Sequence, residues 1–306
     1  MKHFKYLILM PFMLIMTAVQ GQSKKKADAT SFSLQLDYLS NYIYNGRADS
    51  IKAPYQTTTA SLHLANGFFS NFSASYLLTK GAQRFDYFQL DLGYEYKIGE
   101  NIYGDIYGSK YFYAGQSNLL NGNISTDIGV SLNYDFKFFQ LNSITDVFFS
   151  GKTDFQFTPG IEKTIYLTNN QSSSLSINPY LYSTFSTLNY YESNITRRLN
   201  GPNGAKGNKG SNTNAPIIQN STTLLDKGLK LLNIDFSMPI TYENNRLSLI
   251  FSPTYSNPFN KISTITTNTV TPISGIPTSN SFDSTPYSEL HLSNQFFYQF
   301  SLIYKF

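Results

Sequence analysis

One property limits this chain more than any other: a two-residue rhythm sustained over unusually long stretches. In "DYFQLDLGYEYKI", Phe88, Leu90, Leu92, Tyr94, Tyr96 and Ile98 alternate with Gln89, Asp91, Gly93, Glu95 and Lys97. In "NISTDIGVSLNYDFK", Ile128, Val130, Leu132, Tyr134 and Phe136 alternate with Asp127, Ser131, Asn133 and Asp135. In "KLLNIDFSMPITYE", Leu232, Ile234, Phe236, Met238, Ile240 and Tyr242 are set against Asn233, Asp235, Ser237 and Thr241. Period two sends successive side chains to opposite faces of a strand, so each segment has one greasy and one polar face.

Twelve such segments are predicted, over 31–45, 55–66, 68–79, 84–98, 102–113, 123–137, 138–150, 153–168, 173–186, 228–243, 246–257 and 288–306. The first carries Phe32, Leu34, Leu36, Tyr38, Tyr42 and Tyr44 on its greasy side, and Asp37 on the other. In the fifth, Asp105 draws Tyr107 and Tyr111 onto the polar side and leaves Gly104, Gly108 and Lys110 on the greasy one.

The connections alternate in length. Those after even-numbered strands are tight, as at Asn66-Gly67, Gly99-Glu100-Asn101 and Glu243-Asn244-Asn245. Those after odd-numbered strands are mostly longer, with short exceptions near Lys80-Gly81 and Gly151-Lys152. The longest run over about 187–227, with the Gly/Asn/Lys stretch "NGPNGAKGNKG", and over about 258–287, with Pro258, Pro272, Pro277 and Pro286.

A soluble sandwich also alternates, but with strands of about 5–6 residues. Strands of roughly 9–11 residues or more suit a tilted crossing of hydrocarbon. In lipid each unmet backbone N–H or C=O costs several kcal/mol, so the sheet must close. An even strand number, tight turns on one side and long loops on the other are the layout of bacterial outer-membrane barrels. The fold expected over 31–306 is therefore an all-β, transmembrane, antiparallel up-and-down barrel of twelve strands. The 24 tyrosines and 25 phenylalanines supply girdles at the two interfaces, without tryptophan.

The N-terminus agrees. "MKHFKYLILMPFMLIMTAVQGQ" has Lys2 and Lys5, an apolar run from Tyr6 to Val19, then small residues. That is the layout of a secretory signal peptide, expected over 1–21, with a short periplasmic segment over 22–30. The run is too short for a membrane anchor of ~20 residues. Without cysteine there is no lipid attachment, no disulfide framework and no thiolate metal site. The expected place is the outer membrane of a Gram-negative bacterium. The net charge of +4, or +2 once Lys2 and Lys5 are removed, argues against nucleic acid.

The C-terminus "HLSNQFFYQFSLIYKF" reads the same way. Phe306, Tyr304, Leu302, Phe300, Tyr298 and Phe296 line one face, predicted to meet lipid. A terminal Phe preceded by alternating aromatics resembles the signal read by outer-membrane assembly machinery, with Phe300, Leu302, Tyr304 and Phe306 as its residues.

The stretch "SNYIYNGRADSIKAPYQTTTASLHLANGFFSNFSASYL" carries a resemblance, through Ser40, Tyr42, Gly46, Arg47, Pro54, Tyr55, Gly67 and Phe68. It resembles the N-terminal hairpins of an uncharacterised family of outer-membrane barrels from Bacteroidota, and is similar to TorF-like putative porins. Those usually have Arg just before the glycine; here Asn45 stands there and Arg47 follows. The resemblance implies location and architecture.

No constellation points to catalysis. His63, with Thr59 and Ser61, and His291 fall on polar faces that point inward, away from the lipid-facing surface where a phospholipase of this fold would meet its substrate. No cluster has metal-ligand spacing, no cofactor is implied, and the Gly-rich stretch opens no helix after a strand. The polar face says more. It carries Asp37, Asp91, Asp127 and Asp235, with Asp105 and Asp146 if the register holds, while Tyr107, Tyr111, Tyr180 and Tyr182 narrow the interior. The expected function is a narrow porin-like diffusion channel for small solutes, with these acids setting a preference for cations. The alternative is a non-conducting surface protein whose long loops bind a partner.

Overall fold

The structure, a computed structural model, describes residues 30–48, 52–115, 117, 119, 124–189, 217–225, 228–259, 263–271, 276, 278–283 and 292–306. The expected leader over 1–21, nearly all of the segment over 22–30, His291 and the Gly/Asn/Lys stretch lie outside the described residues.

Twelve strands form the wall. In chain order they are Ser31–Leu39, Tyr55–His63, Phe68–Leu77, Arg84–Ile98, Ile102–Tyr113, Thr126–Asp135, Gln140–Phe149, Thr153–Glu162 continued by Ile165–Asn169, Ser173–Ile177 continued by Tyr180–Ser186, Lys230–Ser237 continued by Ile240–Asn244, Leu247–Pro258, and Gln295–Lys305. Each pairs antiparallel with its neighbours in sequence. The twelfth pairs on one side with the eleventh, from Leu247↔Tyr304 to Ser256↔Gln295. On the other it pairs with the first, from Ser33↔Lys305 to Leu39↔Gln299. The sheet closes, and its strands keep no free edge.

The interruptions in strands eight, nine and ten have a local cause. Pro179 and Pro239 have no N–H to give the ladder. Their carbonyls still accept, from Lys163 N at 3.0 Å and Asn178 N at 2.9 Å, so the register carries across each gap.

The two faces separate as the alternation requires. Phe296 (66%), Leu92 (57%) and Ile106 (51%) lie exposed on the outer surface, where lipid covers them, while Ser75, Asp127 and Asp146 are fully enclosed on the inner one. The fifth strand follows the expected phase: Lys110 points outward and Tyr111 inward, as does Ser109 between Asp91 and Asp127. Among the described residues no helix is long and apolar enough to cross a membrane.

The first strand departs from expectation. It ends at Leu39, not residue 45. After it, Ile43–Tyr44 and Arg47–Ala48 form a two-residue hairpin around Asn45 (φ 50°) and Gly46 (φ 74°). Two successive positive φ angles make the tight turn suited to a hairpin, and Asn-Gly is the pair that tolerates it. Tyr42 and Tyr44, expected to face lipid, pack inside instead: Tyr42 against Tyr55, with ring centroids 5.8 Å apart, and Tyr44 against the cluster around Tyr111 and Phe148.

A second sheet lies beyond the wall. Ile217–Leu224, Thr264–Thr271 and Thr278–Asp283, drawn from the two longest loops, pair antiparallel. The connection expected to be irregular over 258–287 thus contains strands.

Candidate functional site: an acidic interior under a filled mouth

The apolar core of this protein sits at the loop end of the barrel. Tyr111, Ile124, Phe148, Leu188, Leu224 and Leu232 form one buried cluster, with Tyr44 and Tyr113 against it. Ile43, Ala48 and Phe297 form a second, and Tyr55, Leu77 and Leu119 a third. The hairpin over residues 43–48 connects the first two. Its Ile43 lies beside Phe297 on the twelfth strand, and Tyr44 reaches the cluster built from the fifth and seventh. A Cβ on Gly46 would stand 2.7 Å from Asn233 Cβ and 3.1 Å from Pro258 Cβ, so the turn presses against the tenth and eleventh strands. The first loop therefore folds into the mouth rather than away from it.

Two β-bulges feed this region. Opposite Ser75 and Tyr76 the fourth strand inserts Asp86, and opposite Thr184 and Phe185 the tenth inserts Leu232. A bulge adds one residue and changes which way it points. Leu232 thereby enters the apolar cluster, and Asp86 becomes the centre of a buried network. Tyr55 Oη donates to Asp86 Oδ2 at 2.5 Å, Ser117 Oγ donates to the same oxygen at 3.0 Å, and Arg84 Nε donates to Oδ1 at 2.8 Å. The network fastens the loop after the fifth strand to the wall. Period-two parity puts Asp86 on the greasy face, so sequence reasoning misses it.

Below the mouth the interior is polar. Asp91, Ser109 and Asp127 stand in one register row across the fourth, fifth and sixth strands. Gln89 Nε2 donates to Asp91 Oδ1 at 2.7 Å. Asp127 is fully enclosed, as is Asp146 on the adjacent seventh strand. Asp37 lies on another wall, accepting from Ser301 Oγ at 2.5 Å, Gln35 Nε2 at 2.9 Å and Gln299 Nε2 at 3.0 Å. Asp235 is on a third, opposite Tyr182 and Ser256. The four acids expected to set selectivity thus all point inward, but only Asp91 and Asp127 share a row.

Inward aromatics narrow the space, as expected for Tyr182 and Tyr111. Asn142 Nδ2 donates to Tyr182 Oη at 2.7 Å, and Tyr182 Oη donates to Glu162 Oε2 at 3.2 Å. Gln140 Nε2 donates to the same carboxylate at 2.8 Å, and Gln140 Oε1 accepts from Tyr103 Oη. The Tyr182 ring lies flat over Gly160, where any Cβ would stand 2.1 Å from it. Phe69 covers Gly93 in the same way. Glu162, at the end of an alternating strand, was within reach of parity; its partners were not.

Of His63 and His291, His63 is described. Its Nδ1–H donates to Glu95 Oε1 at 3.0 Å, and its ring stacks on Phe69 with centroids 5.6 Å apart. Among the described residues no group of three or more His, Cys, Asp or Glu side chains is arranged to hold a metal ion. Phe300, Leu302, Tyr304 and Phe306 all face outward. Phe306 N donates to Phe32 O at 3.0 Å, and the two rings lie 5.2 Å apart across the closing seam.

No protein-family model matches the chain, and no curated protein does. Among solved structures it is similar to a KdgM porin, at 8% identity and a TM-score of 0.44, over 90% of this chain and 99% of that one. A second KdgM porin structure, in complex with disordered oligogalacturonate, gives 9% identity, the same TM-score and the same coverage. The OmpF of Salmonella typhi, in complex with daunomycin, gives 8% identity and a TM-score of 0.31 over 90% and 97% of the two chains. At these scores the comparisons carry no argument about function, which rests on the residues above.

Proposed function

We propose that this protein is a narrow outer-membrane channel for small solutes, with an acidic wall that favours cations over anions. The observation that supports it most is the row Asp91–Ser109–Asp127 on the inner face of a closed ring, with Asp37 and Asp235 on the walls beside it. Fixed carboxylates in a confined polar passage raise the local concentration of cations and repel anions. A ring of twelve lies between eight strands, filled by side chains, and the 16–18 of wide pores. No step of this reading needs catalysis, a metal or a cofactor. The leader over 1–21 exports the chain, Phe300, Leu302, Tyr304 and Phe306 present it to the assembly machinery, and kinship with the TorF-like putative porins of Bacteroidota belongs to the same proposal.

Reversal potentials across planar bilayers under a salt gradient test it. Wild type is expected to prefer cations, and Asp91→Asn and Asp235→Asn to weaken that preference; anion preference, or no change in either variant, refutes it. The filled mouth favours a second reading, a non-conducting surface protein that presents the loop sheet to a partner. Liposome swelling separates the two: uptake of small sugars or ions supports the channel, and inert liposomes the surface protein.

A further inference from the structure

The outer face of the barrel is not smooth. On its closing side a groove of about 510 Å³ runs between the tenth strand and the second, lined almost wholly by apolar side chains. Its lining is organised in register rows. Tyr38, Phe300 and Phe251 stand side by side toward the loops, and the Phe251 and Phe300 rings stack with centroids 4.7 Å apart. Leu36, Leu302 and Leu249 form the next row toward the turns, with Tyr242 beside Leu249 on the tenth strand. One row further on, the twelfth strand carries Tyr304, its ring turned edge-on to Phe306 with centroids 4.9 Å apart. A leucine floor thus lies between taller aromatic rows. The volume falls within the roughly 300–1,000 Å³ of pockets that hold small organic ligands.

The turn end of this trough carries a charge. Arg246 sits in the tight turn between the tenth and eleventh strands, where Asn244 Oδ1 accepts from Arg246 N at 3.1 Å and from Leu247 N at 2.9 Å. Arg246 Nη1 stands 3.5 Å from Tyr304 Oη, whose ring is on the lipid side. The nearby carboxylate of Glu243 is engaged by Ser248 Oγ at 3.0 Å and by Lys305 at 3.7 Å. Among the described residues no acid is paired with the Arg246 guanidinium. Arg246 lies three residues from Leu249 along the eleventh strand, roughly 10 Å at about 3.4 Å per residue.

We propose that the trough holds an acyl chain of one phospholipid from the turn-side leaflet, whose anionic headgroup rests on Arg246. A trough one side chain deep takes a single flexible chain, and its charged end faces the level at which headgroups lie. Lipid tails are as apolar as the wall, so the leucine floor contributes fit and the arginine contributes preference for negative charge. The bound lipid lies across the two ladders that close the ring, Leu36↔Leu302 and Leu249↔Leu302. This inference rests on the outer-membrane reading of the fold, but on neither conduction nor the acids of the interior.

The test uses the full chain reconstituted in mixed bilayers. The protein has no tryptophan, so Tyr242→Trp reports on the trough alone, and Leu92→Trp reports on the lipid-facing wall of the fourth strand. Acyl chains of phosphatidylglycerol or phosphatidylcholine, brominated one lipid at a time, quench whichever indole they touch. At position 242 phosphatidylglycerol is expected to win by about fivefold, the order set by one basic side chain beside anionic lipid. At position 92 neither lipid should win. Adding Arg246→Gln should abolish the preference at 242, while Lys137→Gln, in the turn after the sixth strand, leaves it unchanged. Glycerol 3-phosphate, which has the charge without the chain, should not compete. Heat-modifiable migration on gels certifies folding, and if Tyr242→Trp fails it, Leu36→Trp at the other end of the leucine row takes its place. A preference that is absent at 242, equal at 92, unmoved by Arg246→Gln or lost to glycerol 3-phosphate overturns the site. So does a position 242 shielded from both brominated lipids while position 92 is quenched, because a second copy of the chain then covers the trough. If position 92 also escapes quenching, the outer-membrane reading itself fails.

Discussion

The two ends of the barrel interior are built by different rules. At the loop end, apolar side chains from the wall, the first loop and the long loops pack together around Phe148 and Leu232 much as in a soluble protein. Toward the turn end, Gln140, Asn142, Glu162 and Tyr182 fill the space with hydrogen bonds between side chains. The difference shows where this protein spends its non-local contacts. The wall is held by its ladder, but the mouth is closed by residues from distant strands that must meet in three dimensions. Packing of that kind is sensitive to every atom removed, whereas a polar wall tolerates substitution where water can take the place of a lost partner.

The comparison can be broken most directly at the hairpin. Excising residues 43–48 is expected to raise single-channel conductance severalfold while leaving heat-modifiable migration intact, because the ring closes without them. If current is unchanged, the hairpin is not the constriction. Next in size is Asp86→Ala, which strands Tyr55 and Arg84 in the mouth; urea unfolding should show a loss of about 3–5 kcal/mol, the range for breaking a buried charged network. A smaller effect is expected in the polar half. Gly160→Val would push Tyr182 off the wall and away from Asn142 and Glu162, at about 1–3 kcal/mol in the same assay. Smallest is Lys305→Ala at the turn-side rim. Its 3.7 Å pair with Glu243 is open to water, and its loss should cost no more than about 1 kcal/mol.

The wall was legible in the sequence because its rule is local. Parity alone assigns Asp37, Asp91, Asp105, Asp127 and Asp146 to the inside, and all five are there. The mouth was not legible, because its rule is non-local. Asp86 and Leu232 each occupy the extra position of a bulge, where counting by twos gives the wrong face. Tyr42 and Tyr44 keep the alternation of the strand before them, yet the chain turns at Asn45-Gly46 and carries both inside. Asn-Gly is a turn signal in its own right, and it was outweighed by the rhythm on either side. Nor does any periodicity reveal that Asp37 is given three side-chain donors; that depends on which side chains the neighbouring strands bring alongside.

The seam between the first and last strands has a consequence for how such a molecule is made. Until Gln295–Lys305 is in place, both the opening segment and the eleventh strand expose a full row of unsatisfied amides. No shorter piece can therefore rest in hydrocarbon, and membrane entry is an all-or-nothing event whose final residues act as the latch.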